Sequence, residues 1–481
     1  MRNSLSERST SGALAAWIAA FCAAPAMGQG TMNTVRVSET AANGPIVYDT
    51  ACCTLPAGGP GNKVQEQYKG AIHPSMNDSG QLFTFSTNAC NVTPAVQAAA
   101  MAPGATRVHH HYAKAAVGPI LVLTADSAGN LAQDGYGVTS TIAPDGRAAV
   151  FEHTSASLAG LPVECDHANQ RNRIYLKSFT GALTEITPDS AVGPLGSSRT
   201  PRIGGPAPNY RICFLSDAIG SAPMSPAPTE VYVTTSLSPV AWTQVSAGGG
   251  GGALKRPEIS SDGNVIVWQR GTDLWMSMST SPTTWSLPVA VVQGYEFRGV
   301  HSLSATGAWL AFDGRLANTT DKFQVYRVDL TQGSPTPMLI SANGATPGDG
   351  DSTYPRISDD GTCIAYISTS TNLDPTTADE EPGNLADVFL YNAGTTSLLT
   401  PNTTGLCALP DIAGDPLTTL WVVFSSNSCD AEFGLDPSDD NCPNCATTYK
   451  CSPCATFSGS VTGSLIEPCH DLFRVEINPG S

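Results

Sequence analysis

The sequence predicts an all-β fold, a seven-bladed β-propeller of four-stranded antiparallel blades. Three observations carry this prediction. A heptapeptide with an apolar third position recurs seven times, each copy is followed by further short apolar runs, and successive copies begin 44 to 66 residues apart. One such repeat cannot bury both faces of its own sheet, whereas seven repeats packed around an axis can.

The heptapeptide predicts the first strand of each blade and the turn after it. Its third residue is always apolar and its second is always polar, the alternation expected of a strand. The Ser-Gly or Asp-Gly ending of four copies predicts a tight hairpin turn. The copies are PSMNDSG (74–80), STIAPDG (140–146), PRIGGPA (201–207), PEISSDG (257–263), HSLSATG (301–307), PRISDDG (355–361) and PDIAGDP (410–416).

Three further apolar runs predict the remaining strands of each repeat. The second run carries an aromatic residue at a matching place: Phe85, Phe151, Phe214, Trp268, Phe312, Tyr366 and Phe424. The third run has the form of DVFLYNA (387–393), and in the first repeat RVHHHYA (107–113) takes its place. The fourth run, such as PVAVVQG (288–294), closes most repeats but is missing from the last one.

The two chain ends are expected to share the last blade. The segment TVRVSETAANG (34–44) has the pattern of the missing fourth strand. We therefore predict that residues 31–481 form a single propeller domain and that the N-terminal strand completes the last blade. Such closure removes free sheet edges, which otherwise promote aggregation.

Residues 1–28 have the features of a signal peptide. Arg2 and Arg8 precede a short apolar core at 12–26, and small residues allow cleavage after Ala26 or Gly28. We therefore expect an exported protein, periplasmic or extracellular, with no transmembrane segment. The 13 cysteines left after cleavage favour disulfide bonds in such a compartment.

Composition excludes two classes of protein. An apolar fraction of 41% is too high for a disordered chain. The formal net charge of −17, without any basic run, excludes nucleic-acid binding, which depends on Lys and Arg.

The repeats resemble the TolB-type, WD-repeat-like propellers of exported bacterial proteins. The match is clearest in PRISDDGTCIAYISTSTNLDP and the later ADVFLYN, within residues 355–392. The resemblance implies the propeller fold. We expect no room for the α/β domain that precedes the TolB propeller, so TolB's own role is not carried over.

A cysteine-rich insertion, about residues 428–470, interrupts the last blade between its second and third strands. Four of its cysteines, in CPNC-x5-CSPC, could bind zinc as thiolates: Cys442, Cys445, Cys451 and Cys454. Export instead favours disulfides, and a Cys429–Cys469 bond would close the base of the insertion. We expect disulfides and no cofactor, with zinc as the alternative.

Two histidines in the third strand of the first blade could begin a metal site. His109 and His111 would lie on one face of a strand, about 7 Å apart. His109 also stands where other repeats have Tyr, Trp or Phe. We therefore expect packing, with metal binding as the alternative.

The polar second position of the heptapeptide is expected to face the central channel. Arg202, Glu258, Arg356 and Asp411 would lie there, with His73 and His301 near the channel mouth. These residues could bind a ligand, as propeller channels often do. The alternative is mutual pairing of two positive and two negative charges.

The sequence favours a non-catalytic function. We expect a rigid platform that binds an envelope or extracellular protein or a glycan through its loops. No G-x-S-x-G nucleophile motif is present. The alternatives are an enzyme at the channel mouth (lyase, lactonase or glycoside hydrolase) and a metal-binding envelope protein.

Overall fold

The fold consists of seven antiparallel sheets and one separate hairpin. The computed structural model describes residues 33–36, 72–87, 92–100, 108–115, 119–133, 135–137, 139–155, 157–159, 172–187, 197–217, 229–247, 253–376, 385–401, 407–415, 419–426 and 471–477. The predicted all-β, seven-bladed propeller with mostly four-stranded blades is confirmed. The helix Pro94–Ala100 and the 3₁₀ turn Ser157–Ala159 interrupt the strands. No helix in the described part of the chain has the length and hydrophobicity needed to span a bilayer.

The first strands form a ring around the propeller axis. Each of them contacts the first strand of the next blade, and the first strand of blade seven contacts that of blade one. From blade one to blade seven these strands are Ile72–Met76, Ser140–Ile142, Ser198–Gly204, Leu254–Ile259, His301–Leu303, Ser352–Ile357 and Cys407–Asp415.

The second and third strands build the middle of every blade. The second strands are Leu82–Thr87, Ala148–His153, Arg211–Ser216, Val265–Arg270, Trp309–Leu316, Cys363–Ser368 and Thr419–Ser426. The third strands are His110–Ala115, Arg173–Ser178, Glu230–Leu237, Asp273–Ser281, Gln324–Asp329, Asp387–Asn392 and Asp471–Ile477.

The fourth strands are the most variable. In blades one, two, three, five and six they are Ile120–Val122, Leu183–Glu185, Val240–Gln244, Met338–Leu339 and Thr395–Leu398. In blade four, Thr284–Trp285 and Val289–Val292 both pair with the third strand. Blade five has an extra piece, Tyr295–Glu296, and is followed by the hairpin Ala342–Asn343 and Thr346–Pro347.

The fourth strand of blade seven comes from the N-terminal part of the chain. Asn33–Arg36 pairs antiparallel with Asp471–Ile477, with Asn33 opposite Glu476 and Arg36 opposite Phe473. That this pairing is needed to keep the ring closed stays a prediction, which a truncation can test.

The repeated apolar positions form the core between blades. All seven aromatic residues predicted in the second strands are wholly buried. Each of them lies opposite an aromatic residue of the third strand, and such cross-strand pairs stabilise sheets. The pairs are Phe85–Tyr112, Phe151–Tyr175, Phe214–Tyr232, Trp268–Trp275, Phe312–Tyr326, Tyr366–Phe389 and Phe424–Phe473.

Turn glycines fit two pairs of adjacent blades closely together. Gly361 of blade six has a left-handed φ of 78°, and a Cβ atom there would lie 2.3 Å from Cδ1 of Trp309 in blade five. Arg327 lies 4.5 Å above the Trp309 ring and donates a 2.8 Å hydrogen bond to the Gly361 carbonyl. The same arrangement joins blades seven and one through Gly80, Trp421 and Arg474.

The meander gives the propeller two different faces. Turns between first and second strands lie at one end, which we call the turn face. Connections from second to third strands, and from each blade to the next, lie at the opposite end because antiparallel strands alternate in direction. We call this end the loop-bearing face.

Candidate functional site

The four charged residues predicted to face the channel form one chain of ion pairs. Arg202 Nε lies 2.8 Å from Glu258 Oε2. Arg356 lies 3.7 Å from both Glu258 and Asp411. All four side chains are mostly buried. The two positive and two negative charges of this set therefore balance, although a ligand role for these residues stays a prediction.

The polar second positions also bind the neighbouring blade. Asp411 Oδ2 accepts a 2.7 Å hydrogen bond from the Met76 amide, which links blade seven to blade one. Ser302 Oγ accepts one of 3.3 Å from the Ile357 amide of blade six. Burial raises the pKa of Asp411, and Arg356 and the Met76 amide oppose that rise. These side chains thus hold adjacent first strands together.

Of the two histidines predicted near the channel mouth, only His301 has a described side chain. His301 is buried between blades, and its Nε2 lies 3.2 Å from the Val267 carbonyl of blade four. Burial lowers the pKa of His301 to about 4, so the ring is neutral at pH 7. His73 belongs to the first strand of blade one, and its side chain lies outside the described part of the structure.

The prediction that His109 takes the aromatic position of its strand is wrong. The third strand begins at His110, and Tyr112 lies opposite Phe85 where the other blades place their aromatic pair. His109 precedes the strand and lies three residues before Tyr112, which occupies the aromatic position. Tyr112 therefore fills the core position.

His109 and His111 nevertheless lie close together in a buried cluster with His153. The ring centroids are 6.2 Å apart for His109–His111 and 6.0 Å for His111–His153. His111 Nε2 lies 3.0 Å from the Glu152 carbonyl, and His153 Nε2 lies 2.9 Å from the His109 carbonyl. Each of these contacts uses an N–H group, so these nitrogens cannot coordinate a metal. Burial lowers the pKa of His111 well below its usual range.

No three His, Cys, Asp or Glu side chains converge as a metal site within the described ranges. The candidate ligands Cys442, Cys445, Cys451 and Cys454 and the expected Cys429–Cys469 pair lie outside those ranges. Zinc and disulfides in that insertion therefore both stay predictions.

A groove that the sequence did not predict lies on the loop-bearing face. It has a volume of about 640 Å³ and is lined by residues of blades four, five and six. Phe323 forms part of its wall, with the guanidinium groups of Arg298 and Arg315 lying 5.5 and 4.7 Å from the ring centroid. Lys322 and Asp321 are exposed at the same groove.

Two carboxylates hold the arginines in place. Glu296 Oε2 accepts hydrogen bonds of 2.9 and 2.7 Å from Nε and Nη2 of Arg315. Asp351 Oδ2 accepts one of 2.5 Å from Arg298 Nη1, and its Oδ1 accepts one of 3.1 Å from the Phe323 amide. Hydrogen bonds from Arg315 lower the pKa of Glu296, so this carboxylate stays ionised at neutral pH.

Hydrogen bonds from the Asp313 and Arg256 side chains hold the backbone beneath the groove. Buried Asp313 accepts hydrogen bonds from the amides of Arg298 (3.1 Å) and Tyr354 (3.2 Å). Tyr354 adopts a left-handed φ of 55° at a β-bulge. Arg256 donates to the carbonyls of Arg298 and Gly299. Burial raises the pKa of Asp313 to about 6 despite these hydrogen bonds.

Solved propellers share this architecture at a distance. TolB from Acinetobacter baumannii has a TM-score of 0.34 and 15% sequence identity over 56% of this chain and 55% of its own. Puromycin hydrolase has a TM-score of 0.46 and 13% identity over 76% of this chain and 53% of its own. The β-propeller domain of the Trilobed protease from Pyrococcus furiosus has a TM-score of 0.39 and 9% identity over 60% of this chain and 79% of its own.

These likenesses confirm a distant structural similarity to TolB and peptidase propellers and carry no functional assignment. The match spans about half the length of the TolB and puromycin hydrolase chains. No protein-family model matches the sequence, and comparison with curated proteins also gives no match.

One sequence signal could have indicated the groove. Basic residues number only 24 in the chain, and Arg298, Arg315 and Lys322 fall within 25 residues of one another. The position of the Arg298 side chain still depends on its hydrogen bond to Asp351, which belongs to the next blade.

Proposed function

We propose that this protein is an exported, non-catalytic platform that binds a protein or glycan partner in the groove of its loop-bearing face. The observation that carries this proposal is the cluster of exposed Arg298 and Lys322 and partly buried Arg315 beside Phe323. Arginine and aromatic side chains are enriched at the centres of binding interfaces. The hydrogen bonds of Glu296, Asp351 and Asp313 keep the cluster in one geometry, which lowers the entropic cost of binding.

The ion pairs in the channel favour a binding platform over a glycoside hydrolase. A glycoside hydrolase needs two carboxylates available to the substrate. Glu258 and Asp411, the acids predicted at the inner strands, are both engaged with arginines. Their ion pairs favour a structural role.

Photo-crosslinking tests the proposal. A photo-crosslinking amino acid replaces Asp321 in the groove or, as control, Gln332, which is exposed in the same blade at the turn face. After illumination in the producing cells, we expect a discrete adduct at position 321 and none at 332, detected by the intact mass of the purified protein. Adducts at both positions, or at neither, would overturn the proposal.

We further propose that disulfides order the cysteine-rich insertion. Export and the even number of six cysteines support this assignment over zinc. Metal analysis of the purified protein tests it, since a stoichiometric zinc ion that survives dialysis would contradict it.

A further inference from the structure

We infer that the groove binds an acidic, carboxylate-rich segment of a protein partner. This inference rests on the proposed function and specifies the chemistry of the ligand. It follows from the hydrogen-bond donors that the groove leaves available, which can be followed one side chain at a time.

The two arginines keep free donors. A guanidinium has five N–H groups. Arg315 uses Nε and Nη2 on Glu296, and Arg298 uses Nη1 on Asp351. No other donor of these two arginines is buried without a partner in the described part of the chain. The Arg298 side chain is 56% exposed and that of Arg315 is 29% exposed, so guanidinium edges that the carboxylates do not bind are open to solvent.

Two carboxylates of the groove already accept hydrogen bonds from neighbouring groups of the protein. Glu296 accepts from Arg315 and, through Oε1 at 3.4 Å, from the Asn318 amide. Asp351 accepts from Arg298 and from the Phe323 amide. Carboxylates bound in this way orient the guanidiniums and offer little to an incoming cation.

Lys322 adds a positive charge with no internal partner. Its side chain is exposed, and no ion pair involves it within the residues that the structure describes. Asp321 is an exposed acid at the same groove, whose described lining contains three acidic and three basic side chains. The groove thus presents an ammonium group and guanidinium edges on a chain whose formal charge is −17.

The apolar part of the groove indicates what accompanies the carboxylates. Phe297 and Phe323 line it beside the cations. A segment that alternates acidic and apolar side chains would place carboxylates on the cations and apolar groups on the rings. Charge complementarity of this kind also steers partners into position.

Fluorescence anisotropy with the full chain tests this inference. The probe is a rhodamine-labelled peptide of alternating aspartate and phenylalanine, compared with its asparagine–phenylalanine counterpart. We expect binding of the acidic peptide only, weakened as salt screens the charges. We expect K322Q to weaken binding roughly threefold, the range of one exposed ion pair, and K322E to weaken it further.

The matched control is R147Q, which removes an exposed cation from the turn face and should leave binding unchanged. Equal binding of both peptides, no binding, or equal loss in K322Q and R147Q would overturn the inference. So would Lys322-dependent binding of polygalacturonate without binding of the peptide. In each case a specific adduct at position 321 would still support the platform itself.

Discussion

At the scale of single residues, the contacts between blades depend on turn glycines. The turn glycines Gly80 and Gly361 have left-handed φ values and lie against a tryptophan of the preceding blade. An arginine stacked on that tryptophan then binds the glycine carbonyl. Only glycine satisfies both demands, since it tolerates this φ and has no Cβ atom.

We expect the substitution Gly361→Ala to destabilise the fold strongly. The left-handed backbone alone costs an alanine about 1–2 kcal/mol, and its Cβ would also displace Trp309. Gly394→Ala is the matched control, because Gly394 has a φ of 102° with nothing within 4 Å of the added atom. Urea unfolding should show a larger loss for Gly361→Ala, and equal losses would mean that the tryptophan contact contributes nothing.

Asp359, in the turn after the first strand of blade six, should make stability depend on pH. Burial, and then repulsion from Asp78, Asp360 and Asp411, raises its pKa from 3.8 to about 7. The folded state therefore binds this proton more tightly than the unfolded state. The resulting stabilisation is fully present below 3.8 and is lost as pH rises through about 7.

We expect Asp359→Asn to remove the loss of stability that occurs as pH rises through about 7. The wild-type midpoint of thermal unfolding, minus that of the variant, should decrease between about pH 5 and about pH 8. Taking the difference cancels the contribution of the buried histidines to the midpoint, because they titrate in both proteins. A difference that stays constant over this range would contradict the assignment.

At the scale of elements, the N-terminal strand forms the outer edge of blade seven. Asn33–Arg36 pairs through four residues, whereas the other strands of blade seven pair through seven. Without it, Asp471–Ile477 would become an unprotected edge. Exposed edges favour pairing between molecules.

We compare a chain that lacks residues 31–40 in addition to residues 1–30 with a chain that lacks only residues 1–30. We expect the shorter chain to unfold at a lower temperature and to aggregate more. Differential scanning calorimetry and light scattering measure the two effects. Identical behaviour of the two truncated chains would show that this strand does not hold the ring closed.

At the scale of the whole molecule, the cysteines divide into two groups. Cys213 and Cys363 are free thiols buried within strands of blades three and six. Burial raises the pKa of Cys363 to about 12, so this thiol is unreactive at neutral pH. The chain has 13 cysteines beyond residue 28, so eleven remain besides Cys213 and Cys363, enough for five pairs.

We expect the exported protein to contain at most five disulfides, one fewer than the cysteine count alone allows. Its intact mass should be about ten hydrogens lower than that of the reduced chain. The thiols of Cys213 and Cys363 should react with iodoacetamide only after unfolding. A sixth disulfide, or reaction of either of these two thiols in the native state, would contradict this count.

The sequence by itself determined the repeating part of the molecule. The apolar and aromatic positions of the seven repeats predicted the strands, the buried core and the ring of charged second positions, because period-two alternation directly records which face of a strand is buried. It failed at His109, since three consecutive histidines give no alternation from which to read the register.

Only the tertiary structure decided which residues meet between blades. The ion pair of Arg202 with Glu258, the placement of Trp309 on Gly361 and the hydrogen bond of Arg298 with Asp351 in the groove each join residues more than 50 positions apart. Local pattern specifies a strand and its faces, whereas the neighbour across a blade interface is set by ring packing. The candidate binding site lies at such an interface and for that reason carries no local motif.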